Sequence, residues 1–259
     1  MENIRFGVCA LPNQVGAAAR AGFDYLEMDI NELLKLDADG YRAMAAEMQK
    51  YDIYPEVLCG MLPDGIDIVG DHVSAKIIHN ALDHSFEIAR ALGAEMMLFD
   101  CTGARRLPLN FDPAMAWRQT GNFIRMLQSY AADNDMRVGI LPLRRSIAEL
   151  ISYTSEATLI SAMLRLDRVG VAASSYNMAM EAESLPALRR CGSLLWHMRT
   201  SNVLGNRFPR KGDGEDYKAL FQMLREMNYE GRISCEGGYA DFEKDAKEAL
   251  ACLKEATGK

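Results

Sequence analysis

Residues 74–101 read SAKIIHNALDHSFEIARALGAEMMLFDC. Ile77, Ile78, Ala81, Leu82, Ser85 and Ile88 return at helical spacing, so Ser74 to Leu92 predicts a helix with one apolar stripe. Gly93 ends it, because glycine accepts the left-handed backbone that closes a helix. The run 95–101, EMMLFDC, is short and almost wholly apolar, the pattern of a strand buried on both faces. A helix delivered into a buried strand is one step of a repeated βα pattern, and the rest of the chain repeats it.

The other strand-length runs are 4–10 (IRFGVCA), 23–29 (FDYLEMD), 54–60 (YPEVLCG), 136–142 (MRVGILP), 168–173 (RVGVAA), 193–199 (SLLWHMR) and 231–236 (GRISCE). Helical segments separate them. Asp112-Pro113 opens one that runs to Asn134, with Asp suited to cap and Pro to the first turn. Another spans Glu215 to Met227, with Gly231 after it, and the last, Asp241 to Ala256, buries Phe242, Ala246, Ala249, Leu250 and Leu253. Eight strands alternating with helices predict an α/β fold: a single (β/α)8 TIM barrel formed by residues 1–259.

Composition limits the function. The 259 residues are 49% hydrophobic and 25% charged with a net charge of −7, which disfavours a sequence-independent grip on nucleic acid or anionic lipid. There is no apolar run long enough to span a bilayer, and the start, MENIRFGVCA, lacks a basic flank before a long apolar core. The expectation is a cytoplasmic protein with no nucleic-acid or membrane partner. Six cysteines, at 9, 59, 101, 191, 235 and 252, form no CxxC pair and read as reduced core thiols. Walker, GxGxxG and HExxH motifs are absent.

In such barrels ligands bind where the strands end. The residues there are Asn13, Glu27, Asp29, Cys59, Asp100, Thr102, Arg105, Arg106, Leu141, Arg144, Arg145, Ser174, Asn177, His197, Arg199, Arg207 and Glu236. Alternation along a strand puts Leu195, His197 and Arg199 on one face and Ser234 and Glu236 on another, both directed inward. The arginines suit an oxyanion, and Glu27 stands at the mouth of the second strand.

Taken in order, these segments make the chain resemble the xylose isomerase-like TIM barrels, in particular the bacterial sugar phosphate isomerase/epimerase group. The resemblance is carried by RFGVCALPNQVGAAARAGFDYLEMDI, LPDGIDIVG, LGAEMMLFDCTGARRLP, LPLRRS, SSYNMAMEAESLPALRRCG, LLWHMRTSN with NRFP, and YEGRISCEGGYADFEKDAKEAL. It implies a small-molecule carbohydrate-type ligand at the carboxyl face, isomerisation or epimerisation, and a divalent metal held by four strand-end side chains. Glu236 matches the last of these. The other three positions hold Leu141, Ser174 and Arg199, and two helper positions hold Asn177 and Ile147.

With three of four ligands replaced, the expectation is no cofactor and no metal, with Arg199 paired to Glu236 in the cation's place. Glu236 and His197 are then the candidate catalytic residues. Glu27, Arg105, Arg106, Arg145, Asn177, Arg199 and Arg207 are the candidate binding residues for a small, polar, anionic carbohydrate-type ligand. Two alternatives stay open: a catalytically silent binding or regulatory barrel, and a Mn- or Mg-dependent isomerase whose carboxylates, Glu27, Asp29, Asp100 and Glu181, converge with Glu236. One chain does not reveal an oligomeric state.

Overall fold

A computed structural model describes residues 4–258; residues 1–3 and 259 lie outside it. The strands are β1 (Arg5–Cys9), β2 (Tyr25–Asp29), β3 (Pro55–Cys59), β4 (Met96–Phe99), β5 (Arg137–Ile140), β6 (Val169–Ser174), β7 (Leu195–Thr200) and β8 (Arg232–Cys235). They pair in parallel and in chain order, and β8 closes on β1. The helices are α1 (Val15–Ala21), α2 (Ile30–Leu33), α3 (Ala38–Tyr51), α4 (Ala75–Leu92), α5 (Pro113–Asp133), α6 (Thr154–Leu164), α7 (Ser175–Met180), α8 (Tyr217–Glu226) and α9 (Phe242–Thr257).

Local sequence explains the helix ends. Ser74, Asp112 and Asp241 each accept a backbone N–H at the start of α4, α5 and α9, satisfying a donor that the helix itself leaves free. Gly93 closes α4 at φ 72°. After α8 the left-handed residue is Asn228, at φ 53°, and not Gly231, because an Asn tolerates that conformation three residues earlier.

The core has two parts. The larger lies between strands and helices, and includes Phe6, Leu26, Phe86, Phe99, Phe123, Phe221 and Leu253. A smaller cluster fills the barrel interior and reaches the loop after β5, with Tyr25, Val57, Met96, Leu98, Leu141, Leu143, Ala148 and Ala172. Gly7 makes room for it: a Cβ there would lie 2.2 Å from the Tyr25 ring. The ring lies over Gly7 of β1, and the Tyr25 hydroxyl meets Ser234 Oγ on β8 at 2.9 Å.

Two irregularities re-aim side chains. Val171 pairs with Leu195 but Ala172 with His197, so Trp196 is left over. Trp196 lies on the inner cluster and Leu195 on the outer one, which corrects the expectation that Leu195 points inward. Between β2 and β3 the pairing likewise skips Glu56. Above both shifts, His197, Arg199, Glu27 and Asp29 gather toward the barrel's C-terminal end, where the inner surface turns polar.

Candidate active site

Arg199 is the hub of that polar layer. Its Nε donates to Glu27 Oε1 at 2.5 Å, and its Nη2 reaches Asp100 Oδ2 at 3.1 Å. Nη1 makes no hydrogen bond among the described residues and lies 3.7 Å from Glu236 Oε2. One guanidinium therefore faces carboxylates from β2, the end of β4 and the end of β8. Burial works against its charge, but Glu27 and Asp100 hold it firmly ionised.

Glu27 is the lowest of the three carboxylates, and its side chain is fully buried. Its second oxygen lies 2.8 Å from His197 Nε2. Burial alone would raise its proton affinity; Arg199 and His197 overcome this and hold the carboxyl well below the usual range. Glu236 is different. Burial pushes its carboxyl upward, only partly opposed by Arg199 and by the Ser174 hydroxyl that donates to Oε1. It keeps 15% of its side-chain surface exposed and Asp100 keeps 14%, so both remain reachable from the mouth.

Asp100 and Asp29 are fixed by backbone geometry around Gly60. Gly60 N donates to Asp100 Oδ1 at 3.0 Å, and Asp29 accepts from Asn31 N at 2.8 Å. Gly60 sits at φ 71°, and a Cβ there would fall 2.2 Å from Asp29 Oδ1, so only glycine lets the two acids close on one turn. Beside them opens a cavity of about 400 Å³, lined by Asp29, Glu32, Lys35, Asp64 and Asp100 among others. Its volume is at the lower end for small-molecule sites.

The expected site residues thus divide. Glu27, His197, Arg199 and Glu236 come together, with Arg199 near Glu236 as anticipated but closer to Glu27 and Asp100. Two roles require correction. Glu27 cannot touch a ligand, because both oxygens are spent on Arg199 and His197 beneath the surface. His197 cannot act directly on one either: it is completely buried below Arg199, and its Nδ1 is buried without a partner among the described residues.

The remaining residues do not join the cluster. Arg105 is fully buried; it donates to the carbonyls of Leu141 and Cys101 and lies 4.7 Å over the Phe99 ring. Burial away from any carboxylate partner lowers its proton affinity to about 10. It braces the β4 and β5 loops, which corrects its placement among ligand-binding residues. Arg106 is exposed, and Arg145 lies over Tyr153 with its Nε 3.8 Å from Glu181. Asn177 is buried, accepting from Arg144 N and donating its own N–H to Ser174 Oγ. Arg207 is exposed on a loop that bridges to Gly238. Among the described residues these arginines do not gather: Arg105 meets carbonyls and the Phe99 ring, Arg145 meets Tyr153 and Glu181, and Arg106 and Arg207 are exposed.

The cysteines carry no nucleophile signal. All six are free, and burial raises the thiols of Cys9, Cys59 and Cys235 well above their ordinary range, leaving them protonated.

The divalent ion implied by resemblance can be tested against these donors. Its four positions hold a hydrocarbon, Leu141; a hydroxyl already bonded to Glu236, Ser174; the guanidinium of Arg199; and Glu236 itself. A metal beside Glu236 would confront a fixed positive charge and find one anionic ligand. Glu27, Asp100 and Glu236 do converge, but on Arg199, while Glu181 turns to Arg145. Among the described residues no group of three His, Cys, Asp or Glu side chains is arranged to hold a metal ion. The donor set does not fit a divalent cation.

A closed parallel barrel with a polar cluster at the ends of its strands defines a class of ligand-binding and catalytic proteins. Within it, the chain belongs to the xylose isomerase-like TIM barrel family, whose model matches residues 15–256. No curated protein sequence matches it. Among solved structures, a D-psicose 3-epimerase determined in the presence of D-fructose is similar over 98% of this chain and 100% of its own, with a TM-score of 0.85 and 16% identity. A 3-keto-D-glucoside 4-epimerase from E. coli covers 98% and 99%, with TM-score 0.78 and 22% identity. A family 2 AP endonuclease from Brucella melitensis covers 98% and 98%, at 0.79 and 16%. Among the described residues no helix is long and apolar enough to cross a membrane.

Proposed function

We propose that this chain is a metal-independent sugar isomerase or epimerase, in which Glu236 moves a proton next to a carbonyl and Arg199 takes the divalent cation's electrostatic role. One observation carries the reading: Arg199 Nη1, without a hydrogen-bond partner among the described residues, stands 3.7 Å from Oε2 of the partly exposed Glu236 side chain. A ligand carbonyl oxygen that accepts from Nη1 brings its neighbouring carbon beside that carboxylate. The C–H bond then breaks toward Glu236, its electron pair forms the enediolate, and the guanidinium stabilises the charge gathering on oxygen. A raised proton affinity suits Glu236 to taking and returning that proton.

The ligand is a small, uncharged, carbohydrate-type carbonyl compound. Sequence led to the expectation of an anion, but the arginines disperse and the cavity presents four acids against Lys35, an unfavourable field for phosphate. Similar epimerase structures were determined with D-fructose, D-tagatose and D-allulose, which supplies the probes.

Those three ketohexoses, incubated in D2O with chelator-treated protein, test the reading by proton NMR. Wild type is expected to exchange a hydrogen next to the carbonyl of at least one, and Glu236→Gln to lose the exchange that begins with proton removal by Glu236, while that sugar still raises the melting temperature. Exchange appearing only with added Mn²⁺ or Mg²⁺ contradicts it. Binding without exchange favours a silent binding barrel.

A further inference from the structure

We propose that Asp100 is a second proton carrier facing Glu236, so that the reaction is an epimerisation with proton removal and return on opposite faces of the substrate. This rests on the function proposed above and adds a residue and a stereochemical outcome to it.

The barrel supplies the geometry. Asp100 follows β4 and Glu236 follows β8, strands four places apart in a closed ring of eight, so the two acids rise from opposite walls. Both reach the same guanidinium: Nη2 meets Asp100 Oδ2 at 3.1 Å, and Nη1 lies 3.7 Å from Glu236 Oε2. A planar carbonyl compound held by Arg199 therefore has one carboxylate toward each side. Glu27 binds that guanidinium as well, but from beneath and with no exposed side-chain surface, which leaves Asp100 and Glu236 as the pair open to the mouth.

Asp100 is also the member of the trio that lines the cavity of about 400 Å³. Its Oδ1 is anchored by Gly60 N at 3.0 Å, which fixes the carboxyl group without using the lone pairs of Oδ2 that face Arg199 and the opening. The other cavity acids have different employment: Asp29 accepts from Asn31, and Glu32 pairs with Lys35 at 2.5 Å.

The step balances with one proton in each direction. Asp100, the carboxylate paired with Arg199, takes the hydrogen from carbon, leaving an enediolate on Arg199; Glu236 as carboxylic acid gives its proton to the other face of that carbon. The protein is left with Asp100 protonated and Glu236 ionised. Exchange with water restores the first state, and the reverse reaction starts from the second. No oxidant, reductant or further reactant is needed.

Wild type, Asp100→Asn and Glu236→Gln, each with D-fructose, D-tagatose or D-allulose in D2O, separate the possibilities. In wild type the product of the first turnovers is expected to carry solvent deuterium and none of the abstracted hydrogen. Asp100→Asn, near-isosteric and able to keep the Gly60 contact through its amide oxygen, is expected to hold its melting temperature. It should continue exchange from one epimer at a near wild-type rate while epimer formation falls at least about 100-fold. Glu236→Gln should show the mirror pattern, with exchange from the opposite epimer.

If Asp100→Asn interconverts epimers at the wild-type rate, or the wild-type product keeps the substrate's own hydrogen, the role of Asp100 is overturned and that of Glu236 survives. Equal loss of exchange from both epimers in Asp100→Asn likewise overturns it, reducing Asp100 to a positioning residue. A wild-type protein that exchanges no hydrogen on any of the three sugars overturns the proposed function itself.

Discussion

The barrel holds an arginine and carboxylate cluster at each end, and the two differ in charge balance. At the floor, Arg5 meets Glu56 at 2.5 Å and Arg232 meets Glu56 and Glu95 at 2.5 and 2.6 Å, so two arginines face two glutamates. At the mouth, one arginine faces Glu27, Asp100 and Glu236, and Glu27 is wholly out of water. A balanced, partly hydrated cluster satisfies itself and closes the barrel. An outnumbered, half-sealed arginine is held rigidly and still has one nitrogen to offer, which is what a preorganised oxyanion site requires.

The contrast is largest for the arginines themselves. Arg199→Met leaves three carboxylates around an apolar side chain and is expected to cost about 3–5 kcal/mol in urea unfolding. Arg232→Met, at a partly covered site where Arg5 still pairs with Glu56, should cost less, about 1–2 kcal/mol. Equal costs would mean that the mouth cluster is no more buried in its energetics than the floor.

Within the mouth, Glu27 and Glu236 should respond to pH with opposite signs. Glu27 holds its proton more weakly in the folded chain than the ordinary glutamate value of 4.5, so its contribution is full above that value and is lost as pH falls through its lower folded value. Glu236 holds its proton more tightly when folded, so its effect on stability worsens as pH rises from 4.5 through its raised folded value. At neutral pH Glu27→Gln should lower the melting temperature and Glu236→Gln should raise it. Shifts of the same sign, measured by calorimetry, would contradict this division.

Arg105 supplies a smaller effect. Arg105→Met frees the Leu141 and Cys101 carbonyls and should cost about 1–3 kcal/mol, with sugar affinity unchanged by thermal shift. A lost affinity would return Arg105 to the ligand site. Smallest is Arg106→Ala, an exposed change expected to stay within about 0.5 kcal/mol in the same unfolding assay.

Most of the architecture was legible because buried parallel strands and capped helices are written in local patterns: all eight strands, Ser74 and Gly93 around α4, and Asp112 before α5. Alternation failed where pairing slipped. The skipped residue at Trp196 turned Leu195 outward, and no local signal marks a register shift between two strands. That Arg199 stands where the resemblance implies a metal ligand was legible, and so was Glu236. Their closest company was not: Glu27 and Asp100 reach Arg199 across the barrel, at sequence separations of 172 and 99. Arg105 misled because a loop arginine next to small residues reads as exposed, whereas carbonyls and Phe99 give it a buried seat.

The central claim, that a guanidinium stands where relatives would place a dication, is tested most directly by titrating chelator-treated protein with Mn²⁺ and counting bound metal by electron paramagnetic resonance. The account predicts no saturable site in the wild-type chain. One tightly held Mn²⁺ per chain, lost in Glu236→Gln, would contradict it.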